Sequence, residues 1–321
     1  WKYLIICSVG IAFALFGTIL IFASSQHGAI VHGSLNIREL IAAAPRLEFP
    51  LLRLGFIFCL VGYGTKAGIF PLHSWLPDAH SEAPAPASAM LSGALLNCAL
   101  FAIWRISELV SLSHHDALAH DLPLVAGTIT ALAASLFLVQ QHGLKRLWAY
   151  SSIENVGIML VAIGFGSSSL FFLQALNHSL AKVSLFLLSG NVVQFTGSKE
   201  LSEIRGLMSS KPVWGILLFC CAFAVTGAPP FGAFISEWLL LAYAADHKYL
   251  PVFIGLVVAL AISSIAVAFH LARILFGSPK ANDGKLHALN GISSSFIPIV
   301  LTACAIIAGI SSLPYYLVDL K

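Results

Sequence analysis

Charge is what this sequence has least of. Only 10% of the 321 residues are Asp, Glu, Lys or Arg, against about 25% in soluble globular proteins. With 58% hydrophobic residues and a mean hydropathy of +0.90, the chain carries more apolar surface than a water-soluble fold of its length can hide. The surrounding medium is lipid. The net charge of +3 is too small to suggest a nucleic-acid partner, and no basic run stands out, so none is expected. Metal-ligand spacing is missing too. The six cysteines, Cys7, Cys59, Cys98, Cys220, Cys221 and Cys304, all lie in apolar stretches and form no CxxC, so they read as small packing residues. No iron–sulfur, haem or zinc site, and no other cofactor, is expected in this chain. HExxH, a Gly-rich phosphate loop and a nucleophile elbow are equally absent, which removes covalent catalysis. Nor is there an initiator Met: Trp1-Lys2-Tyr3 leads straight into an apolar run unlike a signal peptide. We therefore expect a piece of a longer protein.

What is present is a series of apolar runs, each near the roughly 20 residues that cross a bilayer. They fall at 3–23, 51–70, 87–106, 122–140, 149–165, 170–195, 213–241, 251–276 and 292–317. A transmembrane barrel would alternate over short segments instead. The expected fold is an all-α integral membrane, polytopic bundle of about nine transmembrane helices, a single transmembrane domain over 1–321. The loops sort by charge. Lys2, Lys145, Arg146, Lys199, Arg205, Lys211, Arg273, Lys280 and Lys285 share one side; Arg38, Arg46, Arg53, Arg105, Lys248 and Lys321 share the other. The richer side is expected to face the cytoplasm.

Two spans are interrupted, at Gly64-Thr65-Lys66-Ala67-Gly68-Ile69-Phe70-Pro71 and at Gly227-Ala228-Pro229-Pro230-Phe231-Gly232. Pro removes a helix hydrogen bond and Gly eases departure from the helix. A matched pair of such breaks is what inverted repeats in transporters look like. Their expected extent is the end of a first repeat at about 1–110, a second at about 120–276, and a final helix at about 292–317. The alternative is a pair of simple kinks filled by packing.

Of the 17 Lys and Arg, all but Lys66 and Lys182 sit in loops or near helix ends; of the 14 acids, Glu154 and Glu237 fall within spans, and Asp78 lies in the polar segment after the first break. A charge at the bilayer centre costs about 2.5–3.5 kcal/mol on insertion scales. His178 and Lys182, four apart, project from one helix face, with the apolar Phe186 on the next turn. Groups that gain and lose a proton at depth suit a relay; the competing reading is a structural Lys–Glu bridge. Glu154 has two readings as well, an intramembrane acid or a surface acid near Lys145 and Arg146. His270, near Arg273, fits either half-buried packing or a pathway outlet.

The segment Lys66-Ala67-Gly68-Ile69-Phe70-Pro71-Leu72-His73-Ser74-Trp75-Leu76-Pro77-Asp78-Ala79-His80 resembles the signature of the antiporter-like membrane subunits. These occur in respiratory complex I, in membrane-bound NiFe hydrogenases and in multisubunit sodium/proton antiporters. Lys145 to Ser152, His178 to Lys182, and Pro229 to Glu237 fit the same family in the same order. The resemblance implies two inverted repeats of five helices, each with one broken helix, and a proton line through Lys66, His178, Lys182 and Glu237, with Asn97, Glu154, His73, Asp78 and His80 in support. It also implies that the acidic partner of Lys66 sits on a helix preceding this sequence. Asn97 and Asn155 stand where the M-type complex I subunit has a lysine and a histidine. Ser151 to Asn155 and Ala83 to Ala87 look more like the F component of hydrogenase-4. The implied role is a non-catalytic, proton-translocating subunit of a redox-driven complex, hydrogenase-4/formate-hydrogenlyase-like or complex I-like, in a prokaryotic cytoplasmic membrane. Its implied partners are other membrane subunits, a peripheral arm of NiFe hydrogenase and iron–sulfur subunits, and membrane lipid. A sodium/proton antiporter subunit is the alternative.

Overall fold

The computed structural model describes residues 1–28, 32–114, 117–278 and 295–319. Lys280, Lys285 and Lys321, sorted by side above, lie outside them. Among the described residues the chain is helical throughout its regular structure: α1 Lys2–Gly28, α2 Ile37–Ala43, α3 Phe49–Ala67, α4 Trp75–Glu82, α5 Ala85–Met90, α6 Leu96–His114, α7 Leu118–Val139, α8 Leu144–Gly164, α9 Ser168–Thr196, α10 Leu207–Ser210, α11 Pro212–Val225, α12 Gly232–Asp246, α13 Leu250–Phe276 and α14 Phe296–Asp319. A π-helical turn, Leu91–Leu95, joins α5 and α6 into one span. Seven helical segments are long and apolar enough to cross a membrane, and α11 and the described part of α14 are shorter apolar helices. This is a multi-pass integral membrane protein. Its outer faces are apolar: Ile5, Ile265 and Ile307 are each more than 60% exposed, as lipid-facing residues should be.

Both interrupted spans are broken. The first comprises α3 and α4 with residues 68–74 between them, and the second comprises α11 and α12 with 226–231 between them. Each break opens on a left-handed glycine, Gly68 (φ 84°) or Gly227 (φ 65°), and reaches a cis X-Pro bond at Pro71 or Pro230. Backbone freed at membrane depth must be satisfied by protein or a cavity, and here protein does much of it. Ile69 N–H returns to Gly64 O and Ala228 N–H to Phe223 O. Phe70 N–H donates to Thr130 Oγ1 at 3.1 Å, and Trp75 Nε1 donates to Thr65 O at 2.8 Å. The polar residues after the first break form the short helix α4.

At the centre stands α8. Of its most apolar stretch 94% is buried, far more than in any other span, because α4, α6, α7, α9, α12 and α13 all pack on it. Its contact with α7 is closest where Gly127 and Gly157 cross, since a Cβ on either would lie 2.6 Å from the other's carbonyl oxygen. Small residues let membrane helices approach in this way without a hydrophobic driving force. Lys145 and Arg146 lie in the first turn of α8, a turn earlier than hydropathy suggested, because long basic side chains can reach back to the interface.

Candidate functional site

Two side chains fix the depth of the site. Lys182 is the midpoint of α9, fourteen residues from Ser168 and from Thr196. Glu154 is the midpoint of α8, ten residues from Leu144 and from Gly164. At 1.5 Å per residue these are about 21 Å and about 15 Å from the helix ends, too far for any side chain to reach water along its own helix. Both are buried, Lys182 at 0% and Glu154 at 2% exposure, which removes the surface-acid reading of Glu154.

Around Lys182 the polar groups connect. Its Nζ donates to Trp148 O at 2.9 Å, an oxygen that also accepts from Ser152 Oγ. Ser152 Oγ in turn lies 2.8 Å from Ser92 Oγ on the π turn. Lys182 is within electrostatic reach of Glu154, His178 and His80. The His80 ring stacks on Phe186 at 4.6 Å, so the apolar residue one turn beyond Lys182 carries an imidazole. Glu154 lies against Ser263 and within reach of Glu237. His80, His178, Lys182, Glu154 and Glu237 thus form one continuous series on α4, α9, α8 and α12.

An amide bridge runs beside the two acids. Gln174 Nε2 donates to Asn155 Oδ1 at 2.9 Å, and Gln174 Oε1 accepts from Ser236 Oγ, the neighbour of Glu237. Sequence reasoning missed Gln174 and Ser236. The signal was present, because Gln174, His178 and Lys182 are successive members of one i, i+4 row and the polar stripe extends a turn further than the His–Lys pair.

Glu237 fills the second break. A Cβ at Gly227 would sit 1.8 Å from its Oε2. An open cleft of about 250 Å³ adjoins it, lined by Thr226, Gly227, Trp238, Leu260 and Ser264 among others. Buried polar atoms without a hydrogen-bond partner gather along the same series: both ring nitrogens of His80 and of His178, Glu154 Oε1, Glu237 Oε1, Asn97 Oδ1 and both amide atoms of Asn177. Each such atom costs about 1–3 kcal/mol.

The remaining predicted residues are elsewhere. Lys66 is half-buried, donates to Tyr3 Oη at 3.1 Å and lies 4.9 Å from the Tyr3 ring centre; its partners are on α1, not in the central series. Asn97 stands between, on α6, which packs against α3. It donates to Ser179 Oγ at 2.7 Å, the residue after His178. His73 sits in an aromatic cage of Phe70, Phe137 and Tyr150. Asp78 is at one end of the bundle, ion-paired with Lys2 at 2.7 Å and Arg146 at 2.8 Å. Those cations, Lys2 first, hold its carboxyl below the usual carboxylate range. Lys199 with Glu82, at 3.2 Å, belongs to the same end, so the loop charges sorted to one side do meet there. His270 bonds Val139 O at 3.3 Å and lines a surface pocket. Among the described residues no three His, Cys, Asp or Glu converge as metal ligands.

Comparison with known proteins agrees with this architecture. The chain is 40% identical over 297 residues to a hydrogenase-4 component F homolog of Methylacidiphilum infernorum, covering 90% of this chain and 61% of that protein. It is 29% identical to formate hydrogenlyase subunit 3 of Escherichia coli, covering 88% and 50%. The chain therefore spans between half and two thirds of these relatives. In fold it matches a chain of the Mrp complex from Dietzia with a TM-score of 0.84 at 20% identity, over 98% of this chain and 65% of that one. It also matches a chain of respiratory complex I from Thermus thermophilus with a TM-score of 0.75 at 24% identity, over 96% and 65%. The family described as NADH:quinone oxidoreductase/Mrp antiporter, TM, matches residues 1–265, and the chain belongs to that family.

Proposed function

We propose that this chain is a proton-translocating membrane subunit of a redox-driven complex of the hydrogenase-4 or formate-hydrogenlyase type, in a prokaryotic cytoplasmic membrane. The observation that carries the reading is the buried series His80, His178, Lys182, Glu154 and Glu237, electrostatically linked from member to member. A structural ion bridge needs one acid and one base. It does not account for two further histidines and a second acid, each buried at 6% exposure or less.

In this reading Lys182 is the central carrier, because the Trp148 carbonyl holds its amine in place in either protonation state. Protonated Lys182 stabilises charge on Glu154; when the proton passes to Glu154 both become neutral, which is the cheaper state in a low-dielectric interior. Glu154 then exchanges with Glu237, whose side chain borders an open cleft, while His80 and His178 supply Lys182 from the other direction. Lys66 is a separate station reached past Asn97, an amide that can orient water but takes up no proton. The chain's own residues carry no electrons. Partner membrane subunits and a peripheral hydrogenase and iron–sulfur arm would supply the driving reaction.

The test is proton uptake by the complex in vesicles. Lys182→Ala and Glu237→Gln are each expected to lower coupled uptake at least tenfold while hydrogen or formate oxidation in the partners continues at a reduced rate. Unchanged pumping in both variants overturns the proposal. Likeness to the Mrp chain supports the second reading, a sodium/proton antiporter subunit. Proton movement driven by a sodium gradient, with no response to hydrogen or formate, would favour that one.

A further inference from the structure

The pocket at the ends of α7 and α13 lies outside the buried series. It has a volume of about 210 Å³, and its lining includes His142, Arg205, His270, Arg273 and one acid, Glu200. Four cationic or protonatable side chains thus face one carboxylate. They come from three places: the α7–α8 connection, the segment before α10, and the last turns of α13. Arg273 and His142 are both within electrostatic reach of His270. Arg205 packs against Gly277 and donates its Nε–H to Ser202 O. The cavity is smaller than the roughly 300–1,000 Å³ of typical small-molecule sites, which points to a small anionic group.

We propose that this pocket binds the phosphate of one anionic phospholipid. Its position selects lipid over a soluble anion. It lies where two membrane spans end, at headgroup level, on the side that carries the larger share of Lys and Arg. Its wall continues into outward apolar side chains, with Val139 50% exposed, Phe269 56% and Phe276 69%, along which acyl chains can lie. Basic pockets between membrane helices on the cytoplasmic side are suited to anionic headgroups. The rival explanation is that Arg273 and the histidines only complement the carbonyl ends of α7 and α13. That accounts poorly for Arg205, which belongs to no helix.

The test uses the protein in its own assembly, placed in phosphatidylcholine nanodiscs with a minor fraction of phosphatidylglycerol, with retained lipid counted by native mass spectrometry. The wild type is expected to retain phosphatidylglycerol selectively. An Arg205→Gln/Arg273→Gln pair should weaken retention about 30-fold, at about fivefold per arginine near the surface, and an Arg205→Lys/Arg273→Lys pair should keep most of it. Millimolar inorganic phosphate should not displace the lipid. Equal retention by the wild type and the glutamine pair overturns the proposal, and so does displacement by inorganic phosphate, which would make this a soluble-anion site. A lowered melting temperature with unchanged lipid would assign the arginines to helix capping, against the proposal. Should the glutamine pair fail to assemble, Arg205→Gln alone, outside any helix, gives the same comparison.

Discussion

Glu237 shows how a single residue's placement depends on another that has no side chain. Gly227 does two things at once: it takes a left-handed backbone conformation (φ 65°), and it leaves the space that the Glu237 carboxylate occupies, since a methyl there would fall 1.8 Å from Oε2. The left-handed conformation alone costs an L-residue about 1–2 kcal/mol. Gly227→Ala should therefore destabilise the protein by roughly that amount and expel the carboxylate from the break. Proton uptake should fall towards that of Glu237→Gln, and the double variant should be no worse than Glu237→Gln alone, because both act through one group. A further loss in the double variant would separate Gly227 from Glu237. At this scale the sequence showed Lys182 and Glu237 plainly, since a charge deep in an apolar run is conspicuous. It left Glu154 open, because proximity along the chain to Lys145 and Arg146 says nothing about which face of α8 a residue takes. Neutral members of the site, Gln174 and Ser236, carry no such cost at depth and did not stand out.

Among the elements, the two broken spans were legible because Gly and Pro act locally: each break lies where its own residues forbid a continuous helix. What completes a break was not legible, because its partners come from elsewhere in the chain. Thr130 on α7 is the clearest case. Its Oγ1 accepts from Phe70 N–H at 3.1 Å and donates to Ala126 O at 2.6 Å, which anchors the loop between α3 and α4 to a helix 60 residues away. Thr130→Val keeps the shape and removes the acceptor, leaving a part-buried N–H unpaired at a cost of about 1 kcal/mol, the low end for such groups. Thr130→Ser keeps the oxygen. Thermal unfolding in detergent should place Thr130→Val below both the wild type and Thr130→Ser; equal midpoints for the two substitutions would show that the bond does not hold the loop.

Taken as a whole, the molecule separates two kinds of charge. Buried groups at the midpoints of α8 and α9 run from helix to helix, so the series crosses the bundle laterally instead of following one helix through the membrane. Surface charges sit at the ends of the bundle, and at one of them Asp78 ties together the start of α1 through Lys2, α4 itself, and the first turn of α8 through Arg146. This knot holds α4, and with it His80, against α8. Because Lys2 and Arg146 lower the pKa of Asp78 in the folded state, its contribution is complete above the unfolded value of about 3.9 and is lost as pH falls through the lower folded value. At 35% exposure the pairs are partly screened, so the contribution is about 0–1 kcal/mol. Asp78→Asn should lower the melting temperature slightly at pH 7 and flatten its fall in the acid range below about pH 4, and added salt should narrow the gap between variant and wild type. An acid limb of the same steepness in both proteins would mean that Asp78 is no part of what holds this end of the bundle together.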